Sequence, residues 1–252
     1  MRRLGAIHRL PPISVPRLAA RARLDMHLPK PETDWFQALP ANGIELLNNR
    51  LGDCVPVSAL WMGYLWRANA WSDTRYPVDD QAESLYSAWC GYDPLTGKPD
   101  DGCDTAQSME LWATKGIRMD DQTESVPQWT TVDPTNITHI RIAIDLLGPV
   151  RFTLNLPAAA QDLSVWRQTP GTGADWVPGS WGAHSVAVGR QDTQTFSARS
   201  WGADVVMSHE FVAAYLLAVD SMLDREWIRT TGLSPSGLDW NTLQADTAAL
   251  RS

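Results

Sequence analysis

The sequence predicts an α+β fold, and three observations carry that prediction. Helical patterns fill 54–147, β-rich runs fill 149–207, and helical patterns return after 208, so the two kinds of element are segregated rather than alternating as βαβ units. The apolar run 54–70 (CVPVSALWMGYLWRANA) reads as one buried helix. The runs 184–189 and 195–200 read as two strands joined by a polar turn at 191–194.

The elements follow in order. Residues 1–40 read as an arm rather than a packed element, because Pro11, Pro12, Pro16, Pro29, Pro31 and Pro40 fix φ and remove donors. Pro56 is tolerated only in a first helical turn, so the helix 54–70 must begin near Cys54. Its apolar residues Val57, Leu60, Trp61, Tyr64, Leu65 and Ala68 keep the 3–4 spacing. A second helix spans 79–90 and opens at Asp79-Asp80. A third runs from Asp104, its N-cap, to Lys115, with Gly116 as the stop. A fourth covers 135–147 and ends at Gly148. Residues 149–156 (PVRFTLNL) and 205–207 read as further strands. Ser208 and Glu210 open a helix expected to reach Leu223, and Asp239 caps a last helix over 240–250.

Composition narrows the function. With 252 residues and 44% apolar content the chain can bury a sizeable core. The net charge of −8 hides an asymmetry. Residues 1–30 carry seven Lys/Arg and one acid, whereas 31–252 carry 14 basic and 28 acidic residues. The body therefore does not suit nucleic acid, and only the basic arm could meet it or another acidic partner. A strap lying across the body is the plainer reading of the same arm. Residues 1–40 are also short for an inhibitory propeptide, so none is expected. Three cysteines leave at least one thiol free in the monomer; Cys90 and Cys103 could close a disulfide or stay reduced. No apolar run is long enough to span a membrane, and the start lacks the apolar core of a secretory signal. A cytoplasmic or particle-associated protein is the expectation. The loop acids Asp93, Asp100, Asp101 and Asp104 lack the alternate spacing of a calcium loop and read as solvated, and no metal or cofactor is expected.

The chemistry concentrates in two stretches. Asn48-Asn49-Arg50-Leu51-Gly52-Asp53-Cys54 places a thiol at a helix N-terminus, where unsatisfied N–H groups and the dipole favour thiolate. Trp181-Gly182-Ala183-His184 places a histidine at the opening of a strand after a glycine-rich loop. A helix-opening Cys followed by a strand-opening His is a nucleophile–base pair in outline. Each residue alone is more often a packing residue.

With these motifs the chain resembles the papain-like cysteine peptidases. The resemblance implies a helical half (41–148) whose central helix bears Cys54. It adds a β-rich half (149–207) that supplies His184, C-terminal helices (208–252), and the arm 1–40 as an appendage. It places Asn48, six residues before Cys54, where the family has an oxyanion-hole Gln, and matches Ser200-Trp201-Gly202 to the family's segment after the His strand. Leu-Gly-Asp-Cys, Gly-Ser-Trp-Gly-Ala-His (179–184) and Leu-Ser-Pro-Ser-Gly-Leu-Asp (233–239) resemble uncharacterised papain-like proteins of tailed phages, prophages and bacteria.

One departure bears on activity. The family's His-orienting Asn aligns with Arg199, which has donors only and cannot accept from the imidazole. Ser200, Asp204 or a backbone carbonyl are the candidate acceptors. Trp181 and Trp201 are expected to flank His184. Asp53 either raises the thiol pKa or caps the helix. Two functions follow: a Cys–His hydrolase of peptide or amide bonds, or a papain-fold structural component of a virion, tied to phage structural proteins through residues 1–30.

Overall fold

The computed structural model describes residues 2–12, 14–18, 27–120, 122–124, 128–223, 225–229, 231–237 and 239. The central helix, α1 (Cys54–Trp71), is buried on every face from Cys54 to Ala68, so it is a core helix rather than an amphipathic surface one. It ends at Ser72, whose φ of 58° is left-handed and whose N–H bonds back to Ala68 and Arg67. Beside it pack α2 (Asp79–Cys90), with acids in its first turn against the dipole, and α3 (Thr105–Lys115). Asp104 caps α3 by accepting from Gln107 N at 2.9 Å, and Asn136 caps α4 (Ile137–Leu147) by accepting from His139 N at 3.0 Å.

In chain order the strands are β1 (Ala6–Ile7), β2 (Thr33–Asp34), β3 (Cys103–Asp104), β4 (Ile117–Met119), β5 (Gln122–Glu124) and β6 (Gln128–Val132). They continue with β7 (Val150–Leu156), β8 (Gly182–Gln191), β9 (Thr195–Ser200), β10 (Ala203–Ser208) and β11 (Leu216–Leu223). The main sheet runs β10-β9-β8-β7-β11-β6, antiparallel throughout, with β2 added against β8. Two apolar clusters flank it. One gathers around α1, the other around α4, Phe152, Val186, Trp166 and Phe211.

The four expected helices before residue 148 form within two residues of their predicted ends. Past 208 the expectation is corrected. The helix opened by Ser208 is only α5 (His209–Tyr215), and Leu216–Leu223 is a strand between β7 and β6. An apolar run of eight residues carries no decisive period. The free edges of β7 and β6, and a buried ion pair from Arg151 to Asp220 (2.6 Å), select the strand. Strands β1 to β6 escape sequence reading because each has five residues or fewer. The helix expected over 240–250 lies outside the described residues.

The described residues of the arm lie against the body. Leu18 N bonds to Thr131 O (2.8 Å) at the β6 edge. Asp145 of α4 accepts from Lys30 N (2.7 Å), from the Thr33 hydroxyl and from Gln191. Phe36 and Leu39 are buried in the α1 cluster.

Candidate active site

Cys54 is the first residue of α1 and is fully buried. It is the free cysteine among the described residues, because Cys90 and Cys103 form a disulfide. Its sulfur lies against β8, where the backbone of Ser185 hydrogen bonds to it, and a second backbone bond comes from Gly5 of the arm. Those contacts lower the thiol pKa, but desolvation outweighs them and pushes it up to about 12.

His184 is paired with Leu154 across the β7–β8 ladder and is fully buried. Its Nε2 lies 2.9 Å from the Ser200 hydroxyl, and its Nδ1 has no hydrogen-bond partner. Trp201 stacks on the imidazole at 4.2 Å and 4° between planes, and Trp181 stacks on Trp201 at 5.9 Å. Burial alone drives the His184 pKa down to about 3, so the ring is neutral.

The register explains why Ser200 and not Arg199 meets the histidine. Arg199 pairs with Ala187, so Ser200 falls opposite Val186 and on the same face as His184. Arg199 points the other way. Its guanidinium lies between the rings of Phe36 (4.7 Å) and Trp61 (4.6 Å) and donates to Asp204 (2.8 Å) and to Leu39 O (3.0 Å). Asp204 sits opposite Arg199 on β10 and serves it, so the expectation of Asp204 beside His184 is corrected. A hydroxyl can accept from Nε2–H, which leaves a bare lone pair at Nδ1.

Asn48 is buried and donates from Nδ2 to Asp53 Oδ1 at 3.0 Å. Asp53 is fully buried, and desolvation raises its pKa to about 8 despite the Asn48 bond. In its ionised form Asp53 adds to the rise in the Cys54 thiol pKa, behind burial. Asp53 makes no side-chain cap on α1.

The arm reaches this site, which sequence reading missed. Residues 2–9 cross it as a strap. β1 pairs in parallel with β3, and Gly5 O accepts from Cys103 N at 2.7 Å. Gly5 packs so close to the Cys54 loop that a Cβ there would lie 1.9 Å from Gly52 O. Gly102, at φ +90°, is needed for the same reason: its Cβ would meet Gly5 O at 2.2 Å. Arg2 lies over Trp201 at 5.2 Å, and Arg3 pairs with Asp100 at 2.9 Å. The available signal was the charge contrast between Arg2-Arg3 and the acid-rich loop before Cys103.

No protein-family model matches the chain. A molybdenum cofactor biosynthesis bifunctional protein of Chlorobaculum tepidum is 33% identical over 87 residues, 34% of this chain. The match spans only 25% of that protein, and no activity is carried over from it. Solved structures are more informative about architecture. Xylellain, a cysteine protease from Xylella fastidiosa, superimposes with a TM-score of 0.65 over 87% of this chain and 95% of its own, at 14% identity. Procathepsin B from Trypanosoma congolense gives 0.59 over 88% and 86%, at 10% identity. A Carica candamarcensis cysteine protease gives 0.53 over 77% and 98%, at 13% identity. Superposition on these three cysteine proteases over most of its length makes the fold of this chain papain-like, and in this chain the central helix set against the antiparallel sheet opens with Cys54.

Proposed function

We propose that the protein is a papain-like cysteine hydrolase of peptide or amide bonds, described here with its cleft closed by its own N-terminal strap. The observation that carries the reading is the conjunction at Cys54. A helix-opening thiol lies against the strand that bears His184, whose Nε2 is engaged by Ser200 and whose Nδ1 is unpartnered. Cys54 is the nucleophile, His184 the base, and Ser200 and Trp201 position the imidazole.

With a substrate in place of the strap, His184 Nδ1 takes the thiol proton and the thiolate attacks the carbonyl carbon. The Cys54 N–H and the Asn48 amide, whose second hydrogen remains after the Asp53 bond, stabilise the oxyanion. The imidazolium returns the proton to the leaving amine as the C–N bond breaks, leaving a thioester. Water, deprotonated by His184, then releases the carboxylic acid and restores the thiol.

The closed form holds a neutral thiol and a neutral imidazole, both because of burial. Displacing the strap admits water and lowers the thiol pKa. Gly5→Val supplies the displacement, since its Cβ collides with the Gly52 backbone. An iodoacetamide-type probe should label Cys54 of Gly5→Val at pH 7 at least about 100-fold faster than the wild type, and adding His184→Ala should remove about 100-fold or more. Labelling of Cys54 that is indifferent to His184 would defeat the reading. The alternative, a papain-fold binding component, draws on the same closed cleft and predicts that indifference. The phage or prophage setting, with structural proteins as partners of residues 1–30, rests on the motif resemblance alone. The docking of Arg3 and Arg9 on the body's own acids gives those arginines an intramolecular partner.

A further inference from the structure

Two carboxylates on the cleft rim share an unusual construction. Asp100 Oδ1 is held by Gly52 N–H at 2.7 Å and by the Tyr86 hydroxyl at 3.0 Å, while its Oδ2 meets Arg3 at 2.9 Å. Asp104 Oδ1 caps α3 through Gln107 N at 2.9 Å, while its Oδ2 meets Arg9 Nε at 3.1 Å. In each case the body locks one oxygen and the other faces the strap. Such carboxylates are oriented before anything binds, so they recognise a cation without rearranging.

The arginines are far less confined than their partners. The Arg3 and Arg9 side chains are 48% and 69% exposed, against 13% and 23% for Asp100 and Asp104. Exposed ion pairs of this kind contribute little to holding a fold together. The strap is held by its backbone, through the β1–β3 pairing and the Gly5–Cys103 bond. Charges arranged across such an interface select which chain binds more than how tightly the backbone is held. Arg2 adds a cation over Trp201 and donates to Gln161 O at 3.2 Å. Between the cations Leu4 packs into the apolar wall by Gly182, and Gly5 lies at Cys54.

We propose that this cleft is a receptor for an extended, basic peptide segment, read by Asp100 and Asp104, and that residues 2–9 occupy it as an intramolecular copy of that segment. The proposal deepens the hydrolase reading by naming its substrate class, and its specificity clause rests on that reading. Substrates are then polypeptides with basic residues about six apart flanking a small or apolar stretch. Acidic segments are excluded by like charge.

The test uses full-length Gly5→Val and two fluorescein-labelled peptides. One copies residues 2–9; the other carries glutamate in place of its three arginines. Fluorescence anisotropy should show the basic peptide binding at least about tenfold more tightly at low salt, with the gap shrinking at about 0.5 M salt. Asp100→Asn and Asp104→Asn keep the locked oxygens as acceptors and remove only the charge. Each should cost the basic peptide about fivefold in affinity and the acidic one nothing. Equal binding of both peptides, or indifference to both Asn variants, overturns the proposal even if Cys54 labels normally. Selective binding without His184-dependent labelling instead sinks the hydrolase reading and leaves the receptor standing. If Gly5→Val does not fold, Arg3→Glu/Arg9→Glu, altered only at exposed side chains, should bind the basic peptide in trans better than wild type; no gain overturns the proposal.

Discussion

Asp53 is the residue whose state depends most plainly on burial. Its carboxyl titrates near 8 in the folded chain, against 3.8 for the free side chain, because desolvation outweighs the Asn48 bond. Between pH 4 and 8 the native state therefore holds a proton that the unfolded chain releases. Stability falls as pH rises through that window. At about 1.4 kcal/mol per pH unit the effect across the whole window is about 5–6 kcal/mol, or roughly 10–20 °C in Tm. His184 acts in the opposite sense. Its pKa near 3 means that the unfolded chain binds a proton below 6.5 that the native state refuses, so this contribution falls on acidification. Asp53→Asn keeps an acceptor for Asn48 and does not titrate. Its Tm should stay level from pH 6 to 8.5 in differential scanning fluorimetry, while the wild type declines; parallel curves would refute the assignment.

At the scale of elements, the tryptophans find their reason. Backbone donors run out at the C-terminus of α4 after Gly148 N–H, which bonds to Ile144 O, and indole N–H groups supplement them. Trp35 donates to Ile144 O (2.8 Å), Trp227 to Leu146 O (3.1 Å) and Trp66 to Leu147 O (3.2 Å). Phe or Leu would fill the same space without a donor: Ile144 O would keep the Gly148 N–H and Leu146 O the Ser236 hydroxyl, but Leu147 O would lose the Trp66 bond. The disulfide is a second device at this scale. It joins the end of α2 to β3, the strand on which the strap pairs, across a sequence separation of 13. Closing a loop of that size is worth about 3 kcal/mol. Cys90→Ala/Cys103→Ala should lose stability of that order in urea unfolding. It should also let Cys54 label faster than in the wild type, because β3 no longer has a fixed anchor. Unchanged labelling would show that the strap holds without it.

For the whole molecule, the charge asymmetry becomes an internal match. The basic N-terminus lies on the acidic rim of the body, with Arg3 on Asp100 and Arg9 on Asp104. These pairs are exposed enough for salt to screen them. Raising ionic strength from about 0.05 to 0.5 M should speed Cys54 labelling of the wild type by a factor of about two to five, and leave Gly5→Val unmoved. A salt response of equal size in both would assign it to the chemistry of the probe instead.

Much of this was legible in the residues. Pro56, Gly116 and Gly148 mark helix ends because their backbone limits act locally, and the helices appear where those limits place them. The order of thiol helix and histidine strand likewise follows from local pattern, as does the pairing of strands 184–189 and 195–200. What the sequence could not decide is whatever depends on partners distant along the chain. Residues 216–223 become a strand only because β7 and β6 stand open on either side. Ser200 rather than Arg199 meets His184 because a ladder register, not a neighbour in sequence, sets the face. The strap lies on Cys54 because Gly5, Gly52 and Gly102, nearly a hundred residues apart at the extremes, lack the side chains that would keep their backbones from touching. Local sterics and periodicity determine elements; contact between remote backbones is decided only when the chain has packed.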